Sequence, residues 1–138
     1  MPSDIQLAGY ETVGVFQPIQ LWAGEKQPVS TQGVLAAGQK VGQLNARGET
    51  FKFPVVALSG GKFVKWDPAG ADGANVIAGI LPHALDTTAT GYNADVATPV
   101  FVEGIPNFEA LDIGAVEYAA IRAAEQAPGV ALVFQKLY

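Results

Sequence analysis

The stretch from Gly60 to Leu81, GGKFVKWDPAGADGANVIAGIL, restricts the fold more than any other part of the sequence. Gly60-Gly61 reads as a tight turn leading into a short strand, Lys62 to Trp66. In that strand Val64 and Trp66 share one face, and Lys62 and Lys65 mark wet positions. The chain then turns through Asp67-Pro68-Ala69-Gly70-Ala71-Asp72-Gly73. Pro68 presets its own backbone angle, and Asp72-Gly73 tolerates positive φ. The apolar run Val76 to Leu81 is far shorter than a membrane span and suits a strand covered on both faces. Strand, polar turn and buried strand predict the centre of a β-rich domain.

The flanking sequence extends this pattern. Residues 30–54 read as β structure punctuated by Gly38, Gly42 and Gly48, with a hairpin turn at Asn45-Ala46-Arg47-Gly48. Phe51, Phe53 and Val55 alternate, as the apolar face of a half-buried strand does. Asp86 to Asp95 (DTTATGYNAD) has loop composition, and Val96 to Glu103 is a strand whose Pro99 argues for an edge position or a bulge. Asp112 to Ala127 is the one helix candidate. Val116, Ala120, Ile121 and Ala124 form its apolar stripe, Asp112 is placed to cap it, and Pro128-Gly129 ends it. Val130 to Phe134 reads as a final strand, apolar on both faces.

Residues 1–28 differ from the rest. Val13, Val15, Ile19 and Leu21 follow a period-2 pattern, Phe16 and Trp22 add bulk to the other face, and Pro2, Pro18 and Pro28 interrupt it. Such a segment is either a first edge strand tucked into the domain or a free arm that pairs with a partner.

Composition narrows the function. A chain of 138 residues fits one domain that buries about two-thirds of its unfolded surface. Hydrophobic residues make up 49% and charged residues 15%, which excludes wholesale disorder and favours burial against partners. A net charge of −5 with scattered Lys and Arg argues against nucleic acid. The sequence has no cysteine, hence neither disulfide nor thiolate metal site, and it shows no signal-peptide pattern and no apolar run near the ~20 residues of a membrane span. These features predict a soluble protein made in a reducing cytoplasm.

Catalytic patterns fail in turn. His83 is the only histidine, so neither a histidine metal cluster nor a Ser-His-Asp triad is expected. Asp67 and Asp72 flank a turn, but Pro68 and Ala71 break the ligand spacing of a calcium loop. Gly60-Gly61-Lys62 lacks the rest of a phosphate-binding loop, and no serine sits in a G-x-S-x-G elbow. Acidic pairs suited to glycoside hydrolysis, about 5 to 9 Å apart, carry no signal among 13 acidic residues. The expectation is a protein that is not an enzyme and needs neither cofactor nor metal. Trp22, Trp66, Tyr92 and Tyr138 leave a carbohydrate-binding module as an alternative, and another β-rich virion component such as a tail or fibre-attachment module is a second.

The order Gly61-Lys62, Val64, Trp66-Asp67-Pro68, Asp72-Gly73 and Gly79-Ile80-Leu81 resembles the head decoration (capsid cement) proteins of lambda-type tailed bacteriophages. The likeness continues through Ala84 to Thr90, Val100-Phe101-Val102 and Gly104 to Leu111, covering residues 33–125. It implies a mainly β domain with one short C-terminal helix (α+β) of the phage head decoration type, residues 29–138, preceded by an extended N-terminal arm, residues 1–28. It further implies a structural protein, bound as a homotrimer to the major capsid protein at local threefold sites on the outside of the expanded head. No nucleic acid or membrane partner is implied. On this reading Val13, Val15, Phe16, Ile19, Leu21 and Trp22 contact the capsid, while Gly61, Lys62, Trp66, Asp67, Pro68, Asp72 and Gly73 form the structural turn. The chain exceeds the leanest members of that family before Gly61 and at its tail, and Val130 to Tyr138 has no counterpart there.

Overall fold

The computed structural model describes residues 20–23, 26–88 and 94–136. Its longest element, strand β4 (Thr50–Ser59), turns back on itself to pair with β5 (Lys62–Lys65). The two-residue link is Gly60-Gly61, with φ of 62° and 83°, the conformation that matches the twist of a tight hairpin. On its other edge β4 pairs antiparallel with β6 (Ile77–Ile80). Val56 faces Gly79 while Ala57 faces Ile77, so Ala78 is an extra residue in β6. That bulge puts Ile77 and Ile80, three apart in sequence, on the same side.

Strands β1 (Val29–Leu35) and β8 (Val96–Gly104) complete the arrangement. They pair antiparallel over their whole length, β1 meets β5 at Leu35 and Phe63, and β8 meets β6 at Phe101 and Ile80. The path β1-β5-β4-β6-β8 therefore closes into a five-stranded barrel. Each strand sends one buried residue into a single cluster: Leu35, Phe63, Val56, Ala78 and Val100, joined by Val41 and Leu81. A five-stranded ring is narrow, and two glycines make room within it. A Cβ on Gly33 would lie 1.9 Å from the Phe63 ring, and one on Gly79 would lie 2.2 Å from Val100.

A second cluster packs on the outside of the barrel. Val55, Ala57, Ile77, Ile80 and Trp66 are covered there by Leu21 and by Leu111, Ile121, Leu132 and Phe134. The covering layer follows β8: a 3-10 turn (Phe108–Ala110), β9 (Leu111–Asp112) beside β4, helix α1 (Tyr118–Ala123), and β10 (Ala131–Leu132) parallel to β8. The short strands β2 (Lys40–Val41) and β7 (Leu85–Asp86) pair with each other, and β3 (Gln43–Leu44) pairs with β4 through the Asn45–Gly48 turn.

The described residues are thus mainly β with one short α-helix, and the helix and the tail differ from the sequence pattern. The helix spans Tyr118–Ala123 rather than residues 112–127. Asp112 caps nothing; its carboxylate accepts from the Gly42 N–H (3.0 Å) and the Gln43 amide (2.9 Å), and its backbone lies in β9. Gly114, at φ 61°, and the extended Ala124 keep the helix to six residues, and Ile121 is its one buried side chain. The tail, apolar on both faces in sequence, is buried on one face only: Leu132 and Phe134 are buried, Ala131 and Val133 exposed. Pro99 lies within β8 opposite Gln32, where β8 has β1 on one side and β6 reaches only Phe101 on the other.

Candidate functional site

The N-terminal segment enters the described structure at Gln20 and runs antiparallel to Ile105–Asn107. The Ala23 N–H donates to Ile105 O (2.7 Å), and the Asn107 N–H donates to Leu21 O (2.6 Å). Trp22 lies over Gly104, where any Cβ would come within 2.6 Å of the indole, and meets Phe101 edge to face at 5.0 Å between centroids. Leu21 is buried in the outer cluster. Of the side chains expected to reach a capsid, Leu21 is buried in its own domain and Trp22 is half-buried against it; an apolar side chain with a ready pocket gains by leaving water. Val13, Val15, Phe16 and Ile19 lie outside the described residues.

The chain then reaches β1, whose exposure is uneven. Val29 and Val34 are large apolar side chains on the surface, and Ser30 and Gln32 are exposed beside them. Between Val29 and Val34 β1 has β8 along one edge and no described strand along the other. Among the described residues its main-chain groups there form an uncharged, open edge of the kind that folded domains usually guard. The Lys26–Glu103 ion pair, 3.6 Å, flanks its start and is half exposed on both sides.

The turn residues hold shape rather than chemistry. Trp66 is buried and its indole N–H donates to Asn75 O at 3.0 Å. The Asp67 carboxylate accepts from the Ala69 N–H at 3.0 Å, and the Asp67 backbone bonds both Ala74 and Gly70. Asp72 has φ 58° and Gly73 φ 90°; a Cβ on Gly73 would lie 2.7 Å from Leu58 O. Lys62, next to Gly61, pairs with Asp95 at 2.6 Å. Trp66, Asp67 and Pro68 border a shallow depression of about 450 Å³ with Lys65, Ile113 and Gly114. A second, of about 530 Å³, lies between Lys40–Leu44 and Ala84–Asp86.

Two carboxyls lie below the usual aspartate range. Asp95 is held down first by the hydrogen bond from Lys62, then by the Ala37 N–H. Asp86 is held down first by the Thr88 hydroxyl, then by the Thr88 N–H at 2.8 Å. Both are exposed and fix loops. His83 is also exposed, and among the described residues no three His, Cys, Asp or Glu side chains group as metal ligands. Among those residues no helix is long and apolar enough to cross a membrane.

Three polar residues that the sequence pattern left unremarked organise this region. Thr87, buried, accepts from the Gln39 N–H (2.7 Å) and donates toward Ala36 O and Gln39 O. Gln126 holds Leu132 by two bonds, Nε2 to its carbonyl (2.7 Å) and Oε1 from its N–H (2.9 Å). Asn107 is fully buried, donates from Nδ2 to Gln20 O (3.0 Å) and accepts at Oδ1 from the Glu109 N–H. A polar residue next to a proline, as in Pro106-Asn107, was the one local sign of a turn, and it says nothing about burial. No protein-family model and no curated protein matches the sequence.

Proposed function

We propose that this chain is a virion decoration protein, which binds the major capsid protein on the outside of an expanded phage head and stabilises that lattice. The observation that carries the reading is the ordered set Gly61-Lys62, Trp66-Asp67-Pro68, Asp72-Gly73 and Gly79-Ile80-Leu81, with its resemblance to lambda-type head decoration proteins. The uncharged edge of β1, open among the described residues, supports it, because strand addition at such an edge gains main-chain hydrogen bonds without any catalytic group. The protein works as a homotrimer at local threefold positions, so that three equivalent attachment segments engage together and their effective concentration adds to modest single contacts. Val13, Val15, Phe16 and Ile19 contact the capsid, while Leu21 and Trp22 root that segment in the domain. A ligand that binds only the expanded lattice stabilises it by its binding free energy at every site. The role requires no enzyme activity, cofactor, nucleic acid or membrane.

Co-sedimentation with undecorated expanded heads, alongside immature proheads, tests this. Saturable binding to expanded heads alone, near three copies per local threefold site, is the expected result. Deletion of residues 1–19 is expected to abolish attachment and leave the domain folded. Binding to neither form refutes the reading.

A further inference from the structure

Gly104–Asn107 is flanked on both sides by segments close to the two ends of the chain. On one side lie Gln20–Ala23, held by the Ala23, Asn107 and Asn107 Nδ2 bonds given above. On the other lies the segment after β10: the Val133 N–H donates to Gly104 O (3.0 Å), the Gln135 N–H to Pro106 O (3.0 Å) and the Phe108 N–H to Gln135 O (2.7 Å). Bridges join Trp22 to Pro106 and Asn107 to Gln135. Leu21 and Phe134 both end in the same outer cluster.

We propose that Gly104–Asn107 is a coupling strand, through which docking of the N-terminal root at Gln20–Ala23 and of the C-terminal strap at Ala131–Gln135 reinforce each other. The reason is the buried position of Asn107. Lifting the root removes the acceptors of both its N–H and its Nδ2 and leaves its side chain only the Oδ1 bond from the Glu109 N–H, and donors that have lost their acceptors move toward water or toward a substitute. Pro106 and Phe108, its chain neighbours, supply the carbonyl and the N–H that hold Gln135, so any shift of Asn107 loosens the strap. Lifting the strap works in reverse: it uncovers Leu132 and Phe134 and frees the far edge of the strand that the root pairs with. Equilibrium coupling is reciprocal, so each end must feel the other by the same factor. A partner that takes hold of the chain ahead of Gln20 therefore changes how firmly the opposite end of the chain is closed, with no change in the barrel.

Amide hydrogen exchange on the full-length protein, without capsids, tests this independently of any decoration role. Trp22→Ala weakens the root and Gln126→Ala weakens the strap. Trp22→Ala is expected to speed exchange at Val133 and Gln135 at least about fivefold, and Gln126→Ala to speed exchange at Ala23 and Asn107 by a similar factor. The Trp66 and Leu81 amides, bonded to Val55 O and Pro54 O, report the barrel and keep their protection. Acceleration confined to the end that carries the substitution overturns the proposal. Equal acceleration at Trp66 and Leu81 also overturns it, because the ends would then follow the stability of the whole fold. Trp22→Phe, which keeps a ring over Gly104, serves with the same readings if Trp22→Ala does not fold.

Discussion

Replacing Gly33 by Ala tests how tightly the barrel is filled. Gly33 has an ordinary strand conformation, so the added methyl meets no backbone strain, only the Phe63 ring at 1.9, 2.7 and 3.0 Å from three of its carbons. Restoring an ordinary contact requires the ring edge to retreat by about 1.5 Å, in an interior shared with Leu35, Val56 and Val100. Overpacking of this kind costs about 1–3 kcal/mol. Loss of glycine freedom in the unfolded chain offsets about 0.4–1 kcal/mol of it. The net expectation is a loss of about 1–2 kcal/mol, or a urea midpoint lowered by about 1 M at an m-value near 1–3 kcal/mol/M. The decisive arm is the double variant. Phe63→Leu alone leaves a partial void and destabilises, but with Gly33→Ala the methyl occupies part of that void. The pair should therefore lose less than the sum of the singles by about 1 kcal/mol or more. Strict additivity would refute the claim that Gly33 exists to admit the Phe63 ring.

Two further substitutions probe the central turn and its neighbour. Trp66→Phe removes the part-buried hydrogen bond from the indole N–H to Asn75 O; a loss of about 0.5–1.5 kcal/mol is expected, read as a thermal midpoint lower by about 2–6 °C. Asp95 has its pKa lowered in the folded state by Lys62 and the Ala37 N–H. Its contribution is complete above the unfolded aspartate pKa, about 3.9, and is lost as pH falls through the lower folded value. Asp95→Asn should thus weaken the protein at neutral pH and flatten the acid side of its stability profile. An unchanged acid limb in urea melts between pH 5 and 2 would contradict this.

The stretch from Gly60 to Leu81 was legible because its signals are local. Two glycines with positive φ, a proline, an Asp-Gly pair and an apolar run each determine their own few residues. The helix was misjudged for the opposite reason. Alanine content and an apolar stripe favour helix across residues 112–127, yet β pairing claims both ends: Asp112 sits beside Pro54, and Gln126 beside Ile77. Tertiary pairing outweighed propensity, leaving one and a half turns around Ile121. Barrel closure had no local sign, since it rests on β1 finding β8 and on one registered strand pair each at Leu35–Phe63 and Ile80–Phe101. At the candidate site, the turn residues were recognisable by type, whereas Asn107 acts through Gln20, far along the chain, and Gln126 through the main chain of Leu132 in β10, a pairing that no local pattern marks. Leu21 and Trp22 carried the right apolar signal, but nothing in a period-2 pattern says whose surface it will meet.

Closure of the ring has a kinetic consequence during synthesis. Val29 pairs with Glu103, so the first strand leaves the ribosome long before its partner exists. At about 5–20 residues per second, β1 waits several seconds with an uncharged, unpaired backbone. The hairpin of β4 and β5 forms early from neighbouring residues, but the ring can shut only after Gly104 has emerged. Pairings this distant in sequence place the protein among slow folders, in the millisecond-to-second range typical of non-local β topologies. The strand that has no described partner along one edge is therefore also the one that spends longest alone in the nascent chain.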